Sequence, residues 1–547
     1  MKKYKFSLLF LIIPLFIIGW GIFNVYYFNN FYARDVDPEF AYLINGLNVA
    51  LLEFNRIGHF DHPGTTFQVY CGLIIRITHL FTGKDAVVQD LLNRPDYYLN
   101  AINISLFILH AVLCFFIAWV GRKREIKIWQ ILILQSGVLL NALMTWLFCR
   151  VIPERMLVMV ALLFIIVYLL YGYKNKHPLK FAIWSGALMG LGMATKFNFL
   201  PVILLPFFLI NSNKNRGIYA VTGIASFFFF ILPIIKKFHE YKNFMIDIAT
   251  HDGIYGDGAE RMFDPVRVKE GFFKTFETAP ELTLIIFTIV AAIFLAFLFR
   301  KKAETGKQIA LFIGMFFITA LQILMVSKHF SSHYLLPLVS IYPLFLFLLD
   351  DFFHCISSHR KWAFIPVALI ITVCIGFTIK LSIRNTKNIK WHIERHESSR
   401  QFASNHIPPN SLWLVGSPTW MSAPFVENGI IYGLAYSNHT HKYKSELMNI
   451  NPNIITYRSE NVVLFWRMHH VPIDSMVVTK TPIHLYYSPG RNTGALVEAL
   501  NNAALRNNVT LSTDTIFSNP KAGSHFIIMQ NHNAQKEWRT EEFISIE

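Results

Sequence analysis

Apolar stretches of about 20 residues recur through this chain, and no other feature constrains its fold as much. A membrane-crossing helix needs roughly 20 apolar residues, at about 1.5 Å rise each, to cover about 30 Å of hydrocarbon. Windows of this kind fall near 6–28, 99–120, 128–148, 156–172, 180–195, 197–211, 217–235, 281–299, 308–326, 334–352 and 362–380, so eleven spans are expected. Composition agrees: 54% of the 547 residues are hydrophobic and only 15% are charged, the balance of a polytopic α-helical membrane protein.

The first window follows Lys2, Lys3 and Lys5 and ends in Val25, Tyr26, Tyr27 and Phe28. It is too long, and too aromatic at its end, for a cleaved signal peptide, and reads as an anchor with a cytoplasmic N-terminus. Lys and Arg near span ends are retained on the cytoplasmic side. Under this topology the short cytoplasmic segments 1–5, 122–127, 174–180, 211–216, 300–307 and 357–361 each carry two to four of them. One apolar piece, 67–81, would break the alternation. It is short and holds Arg76 and His79, which predicts an interfacial or re-entrant helix.

Two domains are expected. Residues 1–384 form the transmembrane part, with exterior loops 29–98 and 236–280, and residues 385–547 form a small exterior α/β domain. In the latter, 391–405 and 493–505 read as helices, and 412–415, 462–466, 510–511 and 525–529 as strands. All five cysteines lie in or beside apolar segments, so no disulfide framework is implied. No zinc motif, phosphate-binding loop or dinucleotide turn occurs. The formal charge of +16 belongs largely to cytoplasmic loops, where anionic lipid headgroups account for it without nucleic acid.

The titratable residues fall on the exterior side. The first loop holds Asp35, Asp37, Glu39, His59, Asp61 and His62; the second holds Arg150, Glu154 and Arg155. Lys196 separates two apolar windows, His251 and Asp252 open a long loop, and Lys328, His329, His333 and Tyr334 precede the tenth span. Plainer roles exist for each group. Asp37 before Pro38 suits a helix N-cap; 61–64 suits a turn; Lys196 can snorkel at a span end; Arg150 and Arg155 can pair with Glu154; His251 and Asp252 can sit on a loop tip; His329 and His333 at i,i+4 could ligate a metal, but a pair without a carboxylate is usually interfacial. Gathered on one face, these residues suit a reaction on a substrate with an anionic head and a lipid tail. Cations would hold a departing phosphate, and a carboxylate would take a proton from an attacking hydroxyl.

The order of four motifs resembles the GT-C superfamily of integral-membrane glycosyltransferases, in particular bacterial relatives of the protein O-mannosyltransferases and of the lipid A aminoarabinose transferase. The acidic motif after the first span corresponds to Asp35-Val36-Asp37-Pro38-Glu39. Asp61-His62-Pro63-Gly64-Thr65 matches a second loop motif, with Gly64 where a proline is usual. Gly190-Leu191-Gly192-Met193-Ala194-Thr195-Lys196 is similar to a Gly-Leu-x-x-x-Thr-Lys junction, and Ser332-His333-Tyr334-Leu335-Leu336-Pro337 to an Arg-Tyr-x-x-Pro element, with His in place of Arg.

The resemblance implies inverting sugar transfer from a polyprenyl-phosphate carrier to a lipid, glycan or protein acceptor, at the outer face of a bacterial cytoplasmic membrane. Asp37 is the expected general base, with Asp35, Glu39 and Asp61 next. Lys196, Arg150, Arg155 and Lys328 are expected at the donor phosphate, and His62, His251, His333 and Tyr334 at the substrate. No cofactor is required by the sequence; the carboxylates would suit Mg or Mn, and metal dependence stays open. A ligase or polymerase of lipid-linked glycans is the near alternative, and a secondary transporter the distant one, lacking here its internal repeats and mid-span carboxylates.

Overall fold

The structure is a computed structural model. It describes residues 7–34, 36–61, 64–253, 255–299, 305–356, 363–416, 425–437, 440–459, 462–466, 469–487 and 493–539. Asp35 and His62, both candidate site residues, lie outside the described residues.

The chain forms two compact units. One comprises Met1–Tyr26, Phe60–Phe67 and Asn103–Asn385; the other comprises Tyr27–His59, Gln68–Ile102 and Thr386–Glu547. The loop that follows the first span is therefore shared out: its acidic start belongs with the C-terminal residues, and the short stretch around Asp61 belongs with the main body of apolar helices.

Among the described residues seven helices are long and apolar enough to cross a membrane: Leu8–Tyr27, Pro95–Lys123, Glu154–Asn175, Glu281–Leu298, Gln308–Lys328, Ser332–Ile356 and Ile365–His406. Two bent pairs, Ile128–Leu139 with Ala142–Cys149 and Asn213–Phe230 with Leu232–Thr250, turn by 65° and 78° and raise the number to nine if each is one span. The chain is thus a multi-pass helical membrane protein, with fewer such helices than the eleven windows.

The difference lies in the windows 180–195 and 197–211. Phe197–Leu209 is short and opens as a 3-10 helix around Pro201. Pro178–Thr195 has its apolar content diluted by Ser185, Gly186, Gly190 and Gly192, and those small residues have a packing use. A Cβ on Gly186 would lie 2.5 Å from the Tyr219 carbonyl oxygen, and one on Gly190 2.4 Å from that of Gly223. Small residues let helix backbones approach this closely in lipid. Pro178–Thr195 and Asn213–Phe230 consequently run side by side in the same direction, which brings their C-terminal ends together.

In the other unit the helix Glu39–Ala50 is buried along its whole length. It packs on Val426–Ala435, where a Cβ on Gly433 would lie 2.5 Å from the Phe40 carbonyl oxygen. Polar side chains stitch the same junction: Asn45 Nδ2 donates to the Tyr436 carbonyl at 3.0 Å, and the Tyr443 hydroxyl donates to Asn48 Oδ1 at 2.6 Å. The helix expected near 67–81 is Thr65–Thr82, and it is not among the span-length apolar helices.

The C-terminal residues build one seven-stranded mixed sheet. Its strands are β1 (Leu412–Gly416), β2 (Ile454–Ser459), β3 (Val462–Phe465), β4 (His469–His470), β5 (Ile483–Tyr487), β6 (Ser512–Asn519) and β7 (Ser524–Gln530), in the order β4-β3-β2-β1-β5-β7-β6. β1 lies at the centre, parallel to β2 and β5, while the outer pairs are antiparallel. The sequence pattern does not show β2, β4 or β5. It put the strand near 510 two residues early and ran one helix over 391–405, where Ile365–Glu394 ends and Glu397–His406 begins.

Candidate functional site

In the helical unit, four stretches distant in sequence meet at one end of the bundle. Glu154 opens the helix Glu154–Asn175 and Lys196 closes Pro178–Thr195. Each charge therefore sits at the helix end whose partial charge it complements. The helices form a tight antiparallel hairpin, and Lys196 Nζ reaches Glu154 Oε1 at 2.5 Å, with the two side chains 9% and 1% exposed. Glu154 Oε2 is covered and takes no hydrogen bond among the described residues.

His333, at the start of Ser332–Ile356, places Nε2 3.6 Å from Glu154 Oε1, and its Nδ1 faces Ser331 Oγ at 2.8 Å. Its ring stacks on Trp146, with centroids 6.3 Å apart, and the Arg150 guanidinium lies 4.9 Å from the Trp146 ring centre. The Lys196 ammonium lies 4.7 Å from the Tyr334 ring centre. One carboxylate, two fixed cations, a histidine and two aromatic rings thus share a small volume at span ends. Such a set can bind an anion and hold it against a flat apolar wall.

The stretch after Asp61 joins the same end of the bundle. Gly64 N–H donates to the Thr195 carbonyl at 3.2 Å, Thr65 Oγ1 donates to the Phe230 carbonyl at 3.1 Å, and the Thr66 and Thr195 hydroxyls meet at 2.7 Å. The last carbonyls of two parallel helices, which have no partner inside their own helices, are satisfied in this way. Gly64 has φ +67°, and it supplies an N–H. Proline, with φ fixed near −65° and no N–H, could do neither. That is a physical reason for glycine at position 64.

Arg155 faces elsewhere. It donates to Asn103 Oδ1 and, at 3.1 Å, to the Arg150 carbonyl, and its guanidinium lies over Phe148. The plainer role open to Arg150 and Arg155, an ion pair with Glu154, is not seen among the described residues, where the partner of Glu154 is Lys196.

Lys328 belongs to a second cluster, in which its ammonium donates to the Ile248 and Ala249 carbonyls at 2.5 and 3.3 Å. His251 turns its Nδ1 to the Asp247 carbonyl at 3.3 Å. Asp252 pairs with Arg261, which also reaches Asp264 at 3.1 Å, and Arg267 donates to the Asp252 carbonyl at 2.7 Å. The Arg261 guanidinium holds the Asp252 carboxyl below the usual carboxylate range. Burial, followed by the charge of Lys328, lowers His329 to about 4.

Asp61 belongs to the helical unit, and Asp37 and Glu39 sit in the other unit. Asp37 does not cap the helix after it: Glu39–Ala50 has Pro38 at the N-cap position and no side-chain cap. Asp37 instead lies close to Tyr432, and burial followed by the Asp37 charge raises the Tyr432 pKa. Glu39 is fully buried in the first turn of that helix. His59 lies nearby in sequence between Tyr42 and Tyr436, with ring centroids 5.3 and 5.5 Å away. Tyr432, Trp146 and Ser331 were not singled out from sequence, because nothing local marks a tyrosine, a tryptophan or a serine as the neighbour of a distant charge. Among the described residues no three His, Cys, Asp or Glu side chains gather as a metal ligand set, and His329 and His333 fall in different clusters.

No family model matches this sequence, and no curated protein does. A solved structure similar to the chain is that of ArnT from Cupriavidus metallidurans bound to undecaprenyl phosphate. The similarity covers 96% of this chain and 99% of that one, at 11% identity and a TM-score of 0.47.

Proposed function

We propose that this protein transfers a sugar from a polyprenyl-phosphate donor to an acceptor hydroxyl at the outer face of the cytoplasmic membrane. The observation that carries the reading is the buried Glu154–Lys196 pair with Arg150, His333 and Tyr334 around it, at the ends of apolar helices. Charges are costly beside lipid and are retained there for a use. A phosphate whose isoprenoid tail lies among the spans would find fixed cations at its own depth. The Glu154 carboxylate keeps Lys196 from being an unpaired buried charge while no phosphate is bound.

In this mechanism the acceptor oxygen attacks the anomeric carbon from the face opposite the phosphate and gives its proton to Asp37. The bond from that carbon to the phosphate oxygen breaks, and its electrons leave with the polyprenyl phosphate. Lys196 and Arg150 stabilise the charge that grows on the leaving oxygen. Asp35, Glu39 and Asp61 are the next candidates for the base. His333 and Tyr334 orient the phosphate or the sugar, and His62 and His251 are the remaining substrate-binding candidates. Arg155 and Lys328, engaged with Asn103 and with helix-end carbonyls respectively, support the loops rather than lead at the phosphate.

The test is mass spectrometry of envelope glycans from a deletion strain. One glycosyl residue should be missing and should return with the wild-type gene. An unchanged glycan profile, together with a defect in solute uptake, would overturn the transferase reading in favour of a transporter.

A further inference from the structure

The second unit contains a pocket of about 360 Å³ whose walls include Tyr32, Arg400, Trp413, Phe425, Glu427 and Asn451. That volume is at the lower end of the range of about 300–1,000 Å³ typical of small-molecule sites. Trp413 and Phe425 meet edge to face, with centroids 4.7 Å apart, and the Arg400 guanidinium lies 6.0 Å from the Tyr32 ring centre. Arg400 Nη2 donates to the Ile393 carbonyl at 3.0 Å and pairs with Glu397. Arg400 Nη1 and the Trp413 indole N–H are covered and have no hydrogen-bond partner among the described residues.

These walls select a ligand class. An anion would meet the Glu427 carboxyl on the wall, while Glu397 already offsets the Arg400 charge; burial lifts the Glu427 carboxyl above its usual range. A purely apolar ligand would leave the arginine and indole donors unpaired. A neutral ring with many hydroxyls suits both the aromatic faces and the mixture of donors and acceptors.

Two elements connect the pocket to Asp37. Glu427 lies in the first turn of Val426–Ala435, and Tyr432, whose pKa the neighbouring Asp37 charge helps to raise after burial, is five residues further on, about 7.5 Å along the helix axis. Tyr32 lies on Phe31–Arg34, the short helix that leads into Asp37. We propose that this pocket holds a neutral saccharide unit of the acceptor and so presents an acceptor hydroxyl towards Asp37. The word acceptor rests on the transferase reading; the binding of a sugar does not.

The experiment uses the full chain in lipid nanodiscs without donor, and saturation-transfer NMR with cellobiose, maltose and N,N′-diacetylchitobiose. At least one disaccharide should show transfer to its ring protons. Trp413→Phe, which keeps a ring and removes the N–H, should weaken that binding about tenfold. Ser404→Trp, at an exposed position on the pocket wall, should abolish it with an unchanged melting temperature. Absence of any disaccharide signal, a signal indifferent to Ser404→Trp, or binding of a proline-rich peptide in place of sugar would each overturn the pocket's assignment. Disaccharide binding by a protein that transfers no sugar would leave the pocket standing and remove the acceptor role.

Discussion

The two units surround a carboxylate in different ways, one buried and one half-buried. In the helical unit Glu154 is held by Lys196 at 2.5 Å with His333 beside it, so its charge is offset by a fixed cation. In the other unit Asp37 lies beside the phenol of Tyr432, whose pKa its charge helps to raise after burial. A carboxylate held in an ion pair keeps its cation in place. Under the proposed function Glu154 belongs with charge neutralisation, and Asp37 is the candidate base.

Asp37→Asn should break the comparison most strongly. Loss of a general base should lower sugar transfer from a purified donor about 10²- to 10⁴-fold while the melting temperature stays at the wild-type value. Wild-type turnover in that variant would move the base to Glu39 or Asp61. Lys196→Met should act on stability as well as on the donor, because it leaves Glu154 as an uncompensated buried charge, a loss of about 3–5 kcal/mol. Adding Glu154→Gln should restore the melting temperature and leave donor binding lost. If donor binding returned as well, the pair would be structural only.

Gly64→Ala should cost about 1 kcal/mol in thermal unfolding, since alanine resists the left-handed backbone there. A smaller effect is expected at the Asp252 loop. Its lowered carboxyl pKa means that the Asp252–Arg261 tie is complete above the ordinary carboxylate range and is lost only as pH falls through the lowered value. Arg261→Gln should therefore shift the onset of proteolysis in 251–264 to higher pH. A pH onset identical to wild type would show that Arg261 does not hold that loop.

Much of the helical scaffold was legible because lipid demands long apolar runs, which need no tertiary information to be seen. The two windows not among the span-length apolar helices, 180–195 and 197–211, are those that hold the packing glycines and Pro201. The motif residues were legible as types: Lys196, His333, Tyr334 and the loop after Asp61 do meet at one end of the bundle. Their partners were not legible. Arg155 and Lys328 looked equivalent to Lys196 in sequence, and only their bonds to Asn103 and to the Ile248 carbonyl separate them.

The amino-acid sequence by itself determined that the chain is a multi-pass membrane protein with a polar C-terminal α/β region and loops rich in titratable groups. Hydrophobicity and charge act locally and add along the chain, so they can be read without a fold. Tertiary structure decided which charge answers which, that Gly64 stands where a backbone donor and a positive φ are needed, and that Asp37 faces Tyr432 instead of capping a helix. A hydrogen bond or an ion pair depends on a few tenths of an ångström between residues far apart in the chain, and that distance is written in the packing.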